Sequence, residues 1–242
     1  MRLLFLLAAP LAAAHSRVTT IKGDLGGNGS AIGVLGGIVP LKGPNKEVQL
    51  DCTVFPRPLE LKVDGLGKLN VTKANVTHVE GGSLLSPDNL IETFGLSGDT
   101  LPQVSATNGT LTGRYHIVSG DGAGPIFAVI DTTATGKFSN GIEANVTLNV
   151  RGNKGRIRDG GCVPYSFSKR SLADKDPYAC REDQIQRRAP VVDSDYPFEI
   201  AVPKGIECEG KVAGKTGVCF MKISNLNHNG PFGGTVAFQI SQ

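Results

Sequence analysis

The stretch TLTGRYHIV, residues 110–118, decides the fold. Leu111, Gly113, Tyr115 and Ile117 fall on one side of it, alternating with polar residues. A two-residue period over this length marks a half-buried β-strand. The turn SGDGAGP (119–125) stops it, and the apolar run Ile126 to Ile130 follows. Outward from there the same vocabulary recurs at Val48 to Phe55, Leu69 to Val76, Ile142 to Val150, Phe198 to Val202, Val218 to Ile223 and Thr235 to Ile240. Many short strands between Gly, Pro, Asn and Asp turns predict an all-β chain, a sandwich of the immunoglobulin type with long loops. Ser86 to Phe94 is the one predicted helix, with Ser86-Pro87-Asp88 as its start. Gly23 to Gly37 and Gly152 to Arg188 read as loops. The second is an insertion (152–188) inside a single domain, 15–242, because strands resume after it without a new core-sized block.

Residues 1–14 have the layout of a secretory leader: Arg2, an apolar run from Leu3 to Ala9, and the small-residue site Ala12-Ala13-Ala14. Cleavage there exposes His15, whose α-amine and ring can hold one metal ion together. The ammonium must lose a proton first, so such a site weakens in acid. No later segment is apolar enough to span a bilayer. The expectation is a secreted, extracellular product. Five sequons, at Asn28, Asn70, Asn75, Asn108 and Asn145, fit a glycoprotein. The dibasic pairs at 169–170 and 187–188 carry little weight, since exposed basic doublets are common.

The net charge of +3 comes from interspersed signs and gives no reason to expect nucleic acid. Without Trp, a flat indole platform for sugars is excluded. Cysteine is odd in number, five. Cys208 and Cys219 bracket a hairpin-sized segment, and Cys162 and Cys180 bracket a polar loop, so both pairs read as disulfide staples. Cys52 is left over, with a partner from either pair open to it.

Of four histidines, His116 stands near a strand end before a glycine-rich turn, a good setting for a ligand or for a bond to Asp121. His228 sits in a similar turn, and His78 lies among sequons. Nothing in the spacing of Asp121, Glu143 and Glu199 selects a glycosidase pair. There is no nucleophile elbow. Gly214-Lys215-Thr216 ends a segment one residue short of a phosphate loop and reads as a hairpin turn. The residues single out no catalytic group.

Four motifs occur in one order: GDLGG (23–27), LPQVS (101–105), HIVSGDGAGP (116–125), and CEGKVAGKTGVC (208–219) with GPFGG (230–234). Together they resemble the fungal appressorium-specific, Egh/Mas/Gas-type family of secreted virulence-associated proteins. The resemblance is strong at 101–131 and 208–239. The chain departs from that pattern in Ser16 after His15, where members have Gly, and in lacking Cys near Ile223 and Thr235. The resemblance implies a role at host penetration. His15 and His116 are also similar to the copper histidine brace of lytic polysaccharide monooxygenases, which implies a β-sandwich, a copper cofactor and oxidative attack on wall polysaccharide. On that reading Phe232 or Phe238 is an axial group, and Gln239 and Asp121 stand behind the ligands. The other reading is a non-catalytic surface or effector protein that binds wall glycan or a host surface molecule.

Overall fold

A computed structural model describes residues 16–33, 52–56, 60–69, 101–157, 192 and 194–241. The leader, His15, His78, Asn70, Asn75, Cys162, Cys180, the dibasic pairs and the 86–94 helix lie outside the described residues.

The described chain forms β1 (Ser16–Gly23), β2 (Gly26–Gly29), β3 (Thr53–Val54), β4 (Lys68–Leu69), β5 (Gln103–Ser105), β6 (Thr110–Ile117), β7 (Ile126–Asp131), β8 (Ile142–Leu148), β9 (Ser194–Ala201), β10 (Gly210–Val212), β11 (Lys215–Asn225) and β12 (Phe232–Ser241), with a 3-10 turn at Phe138–Asn140. They join in one sheet of order β2-β1-β6-β9-β8-β7-β11-β12-β3-β4, with β10 on β11 and β5 on β12. Pairing is antiparallel except between β5 and β12. The all-β expectation holds. The pairings give one connected antiparallel sheet and do not by themselves establish the immunoglobulin-type sandwich.

The path turns at β8. Its first half pairs with β7 and its second with β9. A bulge between Val146 and Leu148 resets the alternation. Ile142, expected on the inner side, opens the strand and is 41% exposed. Beyond the turn β1 comes against β12: a Cβ on Gly234 would stand 3.8 Å from that of Val18. The main core therefore draws Val18, Tyr115 and Phe198 from one half of the sheet and Met221, Val236 and Phe238 from the other.

β6 behaves as its alternation requires, with Leu111, Tyr115 and Ile117 buried and Thr112 and Arg114 exposed. β11 outgrows the expected Val218 to Ile223 because both of its faces are covered. Cys219, Met221 and Ile223 enter the main core. Val218 and Phe220 enter a second cluster with Leu61, Leu66 and Phe138.

The glycine-rich stretch after Gly23 is not wholly a loop, since Gly26–Gly29 pairs with β1. Positive φ at Gly26 (101°) and Gly27 (70°) turns the chain. A side chain on Gly23 or Gly27 would also strike the backbone of 101–103, at 2.0 Å in each case. The expected hairpin between Cys208 and Cys219 is present as β10 and β11, closed by their disulfide. The segment Gly214-Lys215-Thr216 lies in its turn and the start of its second strand, as expected. The sequon residues Asn28, Asn108 and Asn145 are all exposed.

Candidate functional site

Ser16, where described β1 begins, pairs with Ile117, and Arg17 pairs with His116. His116 in turn pairs with Asp195 on β9. Directly opposed residues share a face of a sheet. Arg17, His116 and Asp195 thus form a row across three strands. The His116 ring is 2% exposed, and its Nδ1 lies 2.8 Å from Asp195 Oδ1. A carboxylate oxygen accepts, so Nδ1–H is the donor in this contact, and a neutral ring in that tautomer would carry its lone pair at Nε2. A metal-binding imidazole is oriented in this way.

The alternative partner, Asp121, is not used. It lies within the tight turn closed by Gly122 N–H to Ser119 O, and its carboxylate accepts from Asn229 Nδ2 at 2.8 Å. Its other oxygen is 3.6 Å from Arg156 Nε.

On the opposite face, the Tyr115 hydroxyl donates to Phe232 O at 3.1 Å and is hydrogen-bonded to Ser16 Oγ. Burial pushes this phenol well above its ordinary range. The ring of Phe232 packs with Val118 and Cys52. Of the four residues expected behind the ligands, Phe232 and Asp121 come to this end of the sheet. Phe238 and Gln239 do not. An extended strand rises ~3.4 Å per residue, so they stand roughly 20 Å farther along β12. Phe238 is a core residue opposite Cys219. Gln239 bonds Gln103 Nε2 at 2.8 Å and Thr216 O at 2.7 Å.

The carboxylates Asp121, Glu143 and Glu199 each have a separate partner. Glu143 is 3.5 Å from Lys62, and Glu199 accepts from Thr147 Oγ1 at 2.7 Å. Among the described residues no group of three or more His, Cys, Asp and Glu is placed to hold a metal. His228 is exposed on its loop.

Sequence reasoning missed an asparagine ladder. Asn225, Asn227 and Asn229 tie the 119–125 and 225–232 loops together. Asn225 Nδ2 donates to Ala123 O at 2.9 Å and Asp121 O at 3.3 Å, while its Oδ1 accepts from Phe232 N at 3.0 Å. Asn227 Nδ2 donates to Asp121 O at 3.0 Å. The N-x-N-x-N spacing at 225–229, on the end of a strand, was the available signal.

Lys222 was also missed. It is 0% exposed, and its ammonium donates to Leu61 O at 3.1 Å and Val63 O at 3.2 Å. Nζ lies 4.7 Å from the centre of the Phe55 ring. Desolvation lowers its pKa to about 8, opposed in part by Asp64. Below pH 8 both folded and unfolded chains carry the proton, and the burial cost stands in full. Above it the folded chain releases the proton first, so stability rises with pH until the unfolded value near 10.5 is reached. Relative to Lys222→Met, the unsubstituted protein should gain about 2 kcal/mol between pH 7.5 and 10. Urea unfolding at both pH values checks this, and a pH-independent difference would contradict it.

The profile of the Egh16-like virulence factor family matches residues 13–233. The appressoria-specific virulence factor GAS1 of Pyricularia oryzae is 29% identical over 238 residues, which is 98% of this chain and 76% of that protein. GAS2 of the same fungus is 27% identical over 200 residues, 74% of this chain. The match spans only 59% of GAS2, so that relative is considerably longer than the shared region. No solved structure matches significantly. With the strand ends, glycine turns and C-terminal hairpin all inside the matched span, the chain belongs to the Egh16-like virulence factor family.

Proposed function

We propose that this chain is a secreted fungal protein acting at host penetration, and that the α-amine and ring of His15 together with His116 hold copper. The relatives' names supply the virulence role and its stage. The leader-like residues 1–14 and three exposed sequons support passage through a secretory route. No helix among the described residues is long and apolar enough to cross a membrane.

The observation that carries the copper reading is the bond from His116 Nδ1 to Asp195. It fixes the ring and leaves the donor electrons on Nε2, one strand position from the residue that pairs with Ser16. Copper bound there would supply one-electron oxidative chemistry toward wall polysaccharide. The protein's part is to orient the imidazole through Asp195 and to hold the strand end through Ser16 and Tyr115.

The test is copper titration of protein secreted with its own leader, with mass spectrometry of the N-terminus and an electron paramagnetic resonance spectrum. The expected result is one copper per chain with nitrogen hyperfine structure, lost in His116→Ala. Asp195→Asn should weaken binding by about 10–100-fold. A chain that starts at His15 yet takes up no copper would remove the reading.

A second reading, a non-catalytic binding protein, is favoured by two observations. His116 is only 2% exposed, and the guanidinium-bearing Arg17 stands directly opposite it. A buried ring offers a polymer little access, and a neighbouring cation opposes a second one. Binding to isolated cell walls that His116→Ala leaves intact, without any oxidised sugar product, would select it.

A further inference from the structure

Thr53 on β3 and Ser224 on β11 both stand directly across from Gly233 of β12, one on each side. Opposed residues share a face, so two hydroxyls flank a position that carries no side chain. Glycine is imposed there, because a Cβ on Gly233 would stand 2.0 Å from Ile223 O. Both hydroxyl residues are 0% exposed, and neither Thr53 Oγ1 nor Ser224 Oγ has a hydrogen-bond partner among the described residues.

The face is sealed by residues 61–67. Leu66 O accepts from Thr235 Oγ1 at 3.2 Å, two residues along β12. Directly across from Thr235 on β11, Lys222 lies two residues before Ser224 and reaches up to Leu61 and Val63. The covered face therefore carries a polar strip, bounded by Lys222 and Thr235, which bond the cover, and by Thr53 and Ser224, whose hydroxyls have no hydrogen-bond partner among the described residues. A buried hydroxyl left unmade costs about 1–3 kcal/mol. Two of them beside one glycine suit a ligand that both donates and accepts without charge, and buried water gathers at such places.

We propose that the Gly233 notch is an internal water site, with ordered water held between Thr53 Oγ1 and Ser224 Oγ beneath the 61–67 cover. The site knits β3 to β11 across β12 at the level where no side chain does so. It is separate from the His116 row, which lies on β1, β6 and β9.

A double-substitution cycle tests it in the full secreted chain, with Thr53→Val, Ser224→Ala and both together. If water joins the hydroxyls, each single change lowers Tm by about 2–4 °C, and the double change lowers it by less than the sum. If the hydroxyls are merely stranded, removing either one raises Tm and the effects add, which overturns the proposal. Should a variant fail to fold, a high-resolution crystal structure of the unsubstituted protein decides. Density within hydrogen-bond reach of both Oγ atoms supports the site, and a dry notch overturns it.

Discussion

Asn225→Leu should cost the protein roughly 3–6 kcal/mol, a large part of the stability of a domain this size. Asn225 is 0% exposed and uses both ends of its amide. Its loss strands Phe232 N–H and the carbonyl of Ala123, which it holds at 3.0 and 2.9 Å. Leucine fills the space but offers neither a donor nor an acceptor. The two loops it joins flank the strand end that bears His116, so the damage should extend to that ring. Asn225→Asp separates bonding from packing. It keeps the shape and the acceptor oxygens yet turns a second oxygen toward the carbonyls of Ala123 and Asp121. Both variants should unfold at least ~6 °C below the unsubstituted protein. Full stability in Asn225→Asp would show that the ladder holds nothing.

Gly124→Ala is the second large effect, expected at about 3 kcal/mol. A Cβ there would lie 1.8 Å from Val150 O, a backbone atom that cannot swing aside. The contact is tight from both directions, because a Cβ on Gly152 would stand 2.2 Å from Gly124 O. Gly124 N–H donates to Arg151 O, and Gly155 N–H donates to Gly124 O, each at 3.0 Å. Relief of the clash therefore pulls these bonds apart. Gly120 in the same loop is the control. A Cβ on it meets nothing within 4 Å, so Gly120→Ala should change stability by less than about 0.5 kcal/mol. Equal Tm values for the two variants would refute the close-approach account.

The sequence made legible the strands that either alternate or run apolar between turns. β6 declares itself by alternation, and β7 and β12 by apolar runs between turns. β2 was hidden because glycines at 26–29 look like a loop in isolation, and only the packing of 101–103 against Gly23 and Gly27 explains them. The full length of β11 was hidden because a strand covered on both sides has no period to read. At the site, the placement of His116 was visible as a strand end before a glycine turn. Its partner was not, since Asp195 is 79 residues away and is brought near by the β6–β9 register alone. Lys222 looked like a polar interruption in an apolar strand. Its burial depends on the distant segment 61–67, whose carbonyls are aimed at it.

The strand order also sets a timetable. β1 lies beside β6, and Ser16 meets Ile117 only after about a hundred intervening residues have been made. β12 closes on β3, on β5 and on its neighbour β11, and it is the last strand of the chain. A polypeptide emerging from its N-terminus thus carries β1 without β6 for the first part of its synthesis and β3 without β12 for nearly all of it. Distant pairings of this kind slow folding to milliseconds or longer and expose sticky intermediates meanwhile. Truncation near the C-terminus should be felt first at β5, whose partners are Gln239 to Ser241, rather than at the hairpin of β7 and β8, which is complete without them.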